Sequence, residues 1–218
     1  MQQALSPWHL QIGRRFATLW FLKAMGTTTF MAIFFWCYFS ILTWPHHTVF
    51  EVPLTWLDQQ IPFTPSAYGV YISLWVYVSL PPAFLGNLKV LLNFGGWVSA
   101  LCVVGLIAFW LFPTKTPIFD INWALYPELA QIKSMDASGN ACPSMHVATA
   151  VFSAFWIDAI LVAATAPYML RCISILHCIA IIWSTMAIRQ HVVLDALTGA
   201  VLGMVFALFS LKANRTTV

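Results

Sequence analysis

The feature that most limits what this chain can fold into is a recurrence of long apolar runs from one end to the other. Read between polar or Pro/Gly breaks, they cover residues 17–44, 67–85, 93–112, 144–166, 170–187 and 190–211. Each is near or above the ~20 residues that a bilayer-spanning helix needs. The expected fold is therefore all-α, a polytopic six-helix transmembrane bundle forming a single domain over residues 1–218. Composition agrees, because 61% hydrophobic and 8% charged residues stand far from the roughly 45–50% and 25% of a soluble domain. The runs recur along the whole chain and the first has no small-residue cleavage site, so they read as architecture and not as a removable signal.

Charge orients the bundle. A cytoplasmic N-terminus puts Arg14, Arg15, Lys23, Lys89, Arg171, Lys212 and Arg215 in inside segments and only Lys115, Lys133 and Arg189 outside. The positive-inside rule favours that arrangement, with both termini cytoplasmic. A net charge of +3, carried by scattered residues, excludes a nucleic-acid partner. The loops 45–66 and 113–143 and the link before His191 then share the outer face. The second loop is far longer than the ~12–15 residues usual for a structureless connection, and it holds Ile118, Ile121, Trp123, Leu125 and Tyr126. It reads as a partly helical extramembrane cap after helix three. At the other end, Trp8, Arg14, Arg15 and Lys23 mark a start that lies along the membrane surface before turning inward. Of five cysteines only Cys142 falls in a polar loop, so no structural disulfide is expected.

Two stretches place polar groups where a bilayer makes them expensive: Asn140-Ala-Cys-Pro-Ser-Met-His146 and Arg189-Gln-His-Val-Val-Leu-Asp195. His191 and Asp195 are four apart, so on a helix the carboxylate reaches one imidazole nitrogen and leaves the other basic. An ionisable residue a turn inside the hydrocarbon is by default a functional one. His146 follows Pro143 and Ser144, which suit the start of a helix, and a helix start binds anions. With Lys115, Lys133 and Arg189 nearby, the constellation fits a phosphate group. His191 would attack phosphorus, Asp195 would orient it, His146 would protonate the departing oxygen, and the cations would neutralise the equatorial oxygens.

Plainer roles compete for these residues. His191 and Asp195 could form a helix-stabilising pair, the cations could anchor helix ends at headgroups, and Asp136 and Asn140 could only shape a turn. A Cys142 nucleophile and a zinc site from His146, His191 and Asp195 rank lower, the second because basic neighbours repel a cation. His46-His47 reads as a headgroup-level pair, and no mechanism attaches to His177 or Asp158.

Asp136, Asn140, Pro143-Ser144-x-His146 and, some forty residues on, Arg189-Gln190-His191-x-x-x-Asp195 resemble the signature of the type 2 phosphatidic acid phosphatase superfamily. The likeness is to the branch with bacterial membrane phosphatases and inositolphosphoryl- and sphingomyelin-type phosphotransferases. It covers roughly residues 110–205. It implies a phosphohistidine on His191, His146 serving the leaving group, Asp195 holding His191, Ser144 contacting phosphate, and no metal or cofactor. Lys115 stands where the family's first basic motif ends the third helix. Thr185 stands six residues before the nucleophile in place of arginine, and Met145 takes the place of the commonest glycine.

The expected function is a phosphatase acting on a lipid phosphate or polyprenyl diphosphate, working at the periplasmic side of a bacterial inner membrane. A headgroup phosphotransferase with the same triad is the close alternative, and a proton-coupled transporter is the rival from another class. A homo-oligomer is left open.

Overall fold

The computed structural model describes residues 6–43, 48–135 and 140–213. Asp136, the His46-His47 pair and Arg215 lie outside the described residues. The chain is overwhelmingly helical, and five helices among the described residues are long and apolar enough to cross a membrane. They are α2 (Trp20–Thr43), α6 (Leu88–Leu111), α8 (Met145–Ala163), α9 (Tyr168–Ala187) and α10 (Val193–Ala213).

The first apolar run is preceded by a separate helix, α1 (Trp8–Ala17), which is strongly amphipathic and buries no residue completely. The chain turns from α1 into α2 at Leu19, whose φ of 58° is left-handed. Lys23 fixes this corner. The residue is 6% exposed, and its ammonium donates to Arg15 O at 2.6 Å and Ala83 O at 2.9 Å. A cation at these carbonyls satisfies helix ends that lack internal partners.

The run expected at 67–85 is interrupted. It forms α4 (Tyr68–Ile72) and α5 (Leu74–Phe84), with α3 (Trp56–Gln60) before them in the loop. Each is too short to cross alone. The break lies at Ser73, whose hydroxyl donates to Val70 O and meets His177 Nε2 of α9 at 3.0 Å. His177 thus pins a bend inside the bundle.

The loop after α6 is partly helical. It contains a short turn at Trp123–Leu125 and α7 (Pro127–Met135). Its first residues form β2 (Thr114–Lys115), which pairs in parallel with β1 (Phe50–Glu51) of the earlier loop. Ala141 N donates to Thr114 O, so three separate connections converge over one end of the bundle.

α8 is the axis. Its buried residues include Val147, Ala148, Phe152, Trp156 and Ile160, and it packs on α5, α6, α9 and α10. α10 approaches it closely because Gly199 and Gly203 face its backbone. A Cβ at either would lie 2.3 Å from Ser144 O or Ala148 O, a contact that only glycine permits. Met145 in turn fills the space left by Gly105 of α6. The lipid-facing extreme is α2, where only Lys23 and Tyr38 are buried.

Candidate active site

His191 lies between α9 and α10, in a link shaped by the way α9 ends. Gln190 N donates to Thr185 O and Arg189 N to Met186 O, each at 3.0 Å. That is the crossed pair of bonds of a Schellman termination. The motif needs a left-handed residue, and Arg189 supplies it with φ 63° where glycine is usual. His191 N also donates to Thr185 O, so the backbone on both sides of the imidazole is held.

Asp195 sits in the first turn of α10 and is fully buried, and His191 is 3% exposed. Its Oδ2 accepts from His191 Nδ1 at 3.0 Å and its Oδ1 from Val192 N at 2.7 Å. The second ring nitrogen, His191 Nε2, lies 3.0 Å from His146 Nδ1, and His146 Nε2 lies 2.8 Å from the Tyr71 hydroxyl. Four residues from three parts of the chain therefore form one line, Asp195, His191, His146, Tyr71.

The direction of each bond follows from what each atom can do. A carboxylate only accepts, so His191 Nδ1 carries a proton, and in neutral imidazole Nε2 is then an acceptor. His146 Nδ1 donates to it. His146 Nε2 is in turn an acceptor, and Tyr71 O–H donates. Both histidines are thereby assigned the same neutral tautomer, with a basic Nε2 on His191 and an N–H on His146 directed at it.

Ser144 caps α8. Its Oγ accepts from Val147 N at 3.3 Å and its N–H donates to Asp195 O at 2.9 Å, joining the starts of α8 and α10. The three candidate cations stand in the connections that converge over this end of the bundle. Lys115 pairs with Glu51 at 3.8 Å. Lys133 donates to Thr116 Oγ1 at 2.6 Å and to Arg189 O at 2.9 Å. Arg189 donates to Ile61 O and Asp58 O and covers the ring of Phe119. Burial pulls the Arg189 guanidinium below its ordinary value, and the Asp58 carboxylate opposes the shift. Lys133 and Arg189 thus bind the loops to the link that carries His191. Asn140 does the same for α2, donating to Tyr38 O at 3.0 Å.

Cys142 contacts Thr198 Oγ1 at 3.2 Å, and burial raises its thiol pKa, which favours the thiol over the nucleophilic thiolate. His146, His191 and Asp195 are strung in a line, and among the described residues no group of three or more His, Cys, Asp or Glu side chains could hold a metal ion.

The sequence gives no role to three further participants. Tyr71 is 75 positions from His146, and nothing local marks it. Asp58 accepts from Val193 N at 2.8 Å, at the start of α10, while closing a capping box with Thr55. The pattern Thr55-x-x-Asp58 is a legible signal for the box, although not for its reach to α10. Gln190 is buried beside His191, and neither atom of its amide has a hydrogen-bond partner among the described residues.

Below His146 opens a cavity of about 780 Å³ between α2, α5, α6 and α8. Tyr71, Trp75 and His146 border one end, Lys23 the other, and Phe30, Phe34 and Phe94 line the wall between. No family model, curated protein or solved structure matches the chain. What can be said of its chemistry comes from this geometry and from the membrane fold.

Proposed function

We propose that the protein is a membrane lipid phosphatase of the type 2 phosphatidic acid phosphatase kind, forming a phosphohistidine on His191. The observation that carries the reading is the hydrogen-bonded line from Asp195 through His191 to His146, with an apolar cavity leading away from its end. A basic Nε2 facing an N–H donor provides the nucleophile and the acid that in-line phosphoryl transfer requires.

In the resting state the two imidazoles touch, so the phosphoryl group enters by parting them. His146 first takes a proton from the incoming phosphate monoanion, and His191 Nε2 then bonds to phosphorus as the ester or anhydride oxygen leaves with a proton from the His146 imidazolium, which is left neutral. Asp195 stabilises the positive charge that develops on His191. Water, deprotonated by His146, hydrolyses the phosphohistidine, and both rings return to their first state. The buried Gln190 amide, without a hydrogen-bond partner among the described residues, suits a phosphate oxygen. On this reading Ser144, Lys115, Lys133 and Arg189 serve the phosphate oxygens, Arg189 and Lys133 also setting the loop that holds His191. No metal or cofactor takes part in this scheme.

The substrate of this reading is a lipid phosphate or diphosphate such as phosphatidic acid or a polyprenyl diphosphate. The phosphate lies at the histidines and a hydrocarbon chain lies in the cavity. The composite α4–α5 segment, about 25 Å long at 1.5 Å per residue, serves as a sixth membrane crossing. An even count puts both termini on one side, which the positive-inside bias makes the cytoplasm, and on this reading the site works at the periplasmic face of a bacterial inner membrane. A phosphotransferase differs only in admitting a hydroxyl acceptor in place of water.

The test is phosphate release by purified protein from a panel of lipid phosphates and diphosphates with EDTA present, alongside His191→Ala. Removing a nucleophile that works as part of a triad costs at least about a thousandfold, so the variant loses release that the wild type shows. Release that persists in the variant would overturn the mechanism. Phosphate transfer to an added lipid alcohol, without release, would convert the assignment to the phosphotransferase.

A further inference from the structure

The end of the bundle opposite the histidines carries a second site. The carboxyl end of α8, at Ala163, lies about 26 Å from His146 at 1.5 Å per residue. α1 crosses beneath it, with Gln11 Nε2 reaching Ala164 O at 3.5 Å. Between the last turn of α1 and the turn joining α5 to α6 is a cleft of about 300 Å³, lined by Arg14, Arg15, Thr18, Leu85, Gly86, Asn87 and Val90.

Neither Arg14 nor Arg15 has an ion-pair or side-chain hydrogen-bond partner among the described residues. Among those residues the one acid at this end, Asp158, is held by Arg171 through two bonds of 2.6 and 3.1 Å. Among the described residues the positive charge of the cleft is therefore uncompensated.

The cleft is also built. Arg15 lies along Gly86, where a Cβ would fall 3.0 Å from Arg15 Cγ. Lys23, which bonds to carbonyls of α1 and α5 together, holds the two walls at a set distance. Asn87 caps α6 at the cleft floor, its Oδ1 taking the N–H groups of Lys89 and Val90. Beside the arginines, Phe16, Trp20 and Phe21 are all more than half exposed, as expected of side chains that enter a bilayer at headgroup depth.

We propose that this cleft binds the headgroup of an anionic phospholipid from the leaflet on that side, the phosphate lying between Arg14 and Arg15. Charge complementarity and the adjacent membrane-entering aromatics select a lipid over a soluble anion, because only a lipid engages both. The site is independent of the histidine chemistry, and its occupancy is read without any catalytic assay.

The experiment is native mass spectrometry of the full chain in detergent, titrated with phosphatidylglycerol or phosphatidylcholine. The wild type is expected to retain one phosphatidylglycerol in preference to phosphatidylcholine. The Arg14→Gln/Arg15→Gln variant is expected to bind phosphatidylglycerol about thirtyfold more weakly, with phosphatidylcholine retention unchanged. Gly86→Ala, which displaces Arg15 without altering charge, provides a second reading and should weaken the same binding. Equal phosphatidylglycerol retention by wild type and both variants would overturn the site. Displacement of the lipid by an equal concentration of inorganic phosphate would overturn its assignment to lipid.

Discussion

Replacing Tyr71 by Phe deletes one oxygen and leaves His146 Nε2, now 2.8 Å from that hydroxyl, without its donor. The tautomer that directs His146 Nδ1–H at His191 loses its support, while the Asp195–His191 pair is untouched. On the lipid-phosphatase reading, turnover should fall about tenfold, the order of one buried hydrogen bond, with little change in KM and a displaced pH profile. A profile identical to wild type would deny Tyr71 its place in the line. Gln190→Leu separates stability from chemistry. An unpaired buried amide costs its desolvation, so the apolar substitute should raise the melting midpoint by about 2–4 °C and lower phosphate release about tenfold. Release at the wild-type rate would leave the amide no role at the phosphate. Of these residues, the pairing of His191 with Asp195 is legible in their spacing. Tyr71 is not, because its meeting with His146 is made by packing and not by local geometry.

At the scale of elements, the α8–α10 contact positions both halves of the site. Ser144 N donates to Asp195 O across it, and Gly203 lies against Ala148 O one turn further in. Gly203→Ala should force the helices apart and destabilise the protein by about 1–3 kcal/mol, read as a lower thermal midpoint in detergent. An unchanged midpoint would mean that the helices do not approach as closely as described. The helices themselves follow from the apolar runs, and their observed ends fall within a few residues of the expected ones. The places of the two interruptions do not, although Trp8, Arg14, Arg15 and Lys23 mark the first as a start that lies along the membrane surface before turning inward. Both the α1–α2 corner at Leu19 and the α4–α5 break at Ser73 lie in or beside sequence that reads as a continuous run. They are held by Lys23 and His177, whose partners are distant in the chain.

For the whole molecule, the defining feature is a lipid-facing helix, α2, set off from a packed core so that an apolar cavity runs between Lys23 and His146. Gly95 lines this cavity, and a Cβ there meets nothing within 4 Å. Gly95→Phe should therefore fold normally and occupy the space. On the lipid-phosphatase reading it raises KM about tenfold for a long-chain lipid phosphate and leaves a short soluble phosphate ester unaffected, measured as the ratio of kcat/KM for the two. An equal effect on both would remove the cavity from substrate binding.

By itself the sequence determines that the protein belongs in a bilayer, which segments are helical, and that a His-x-x-x-Asp pair stands at one helix start. These are local matters, decided by hydrophobicity over some twenty residues and by the period of a helix. Only the tertiary structure decides that His146 meets His191, that Tyr71 completes the line, and that Lys133 and Arg189 brace the loops around it. Each of those contacts joins segments far apart in the chain, and close packing of α8 against its neighbours is what brings them within hydrogen-bond reach.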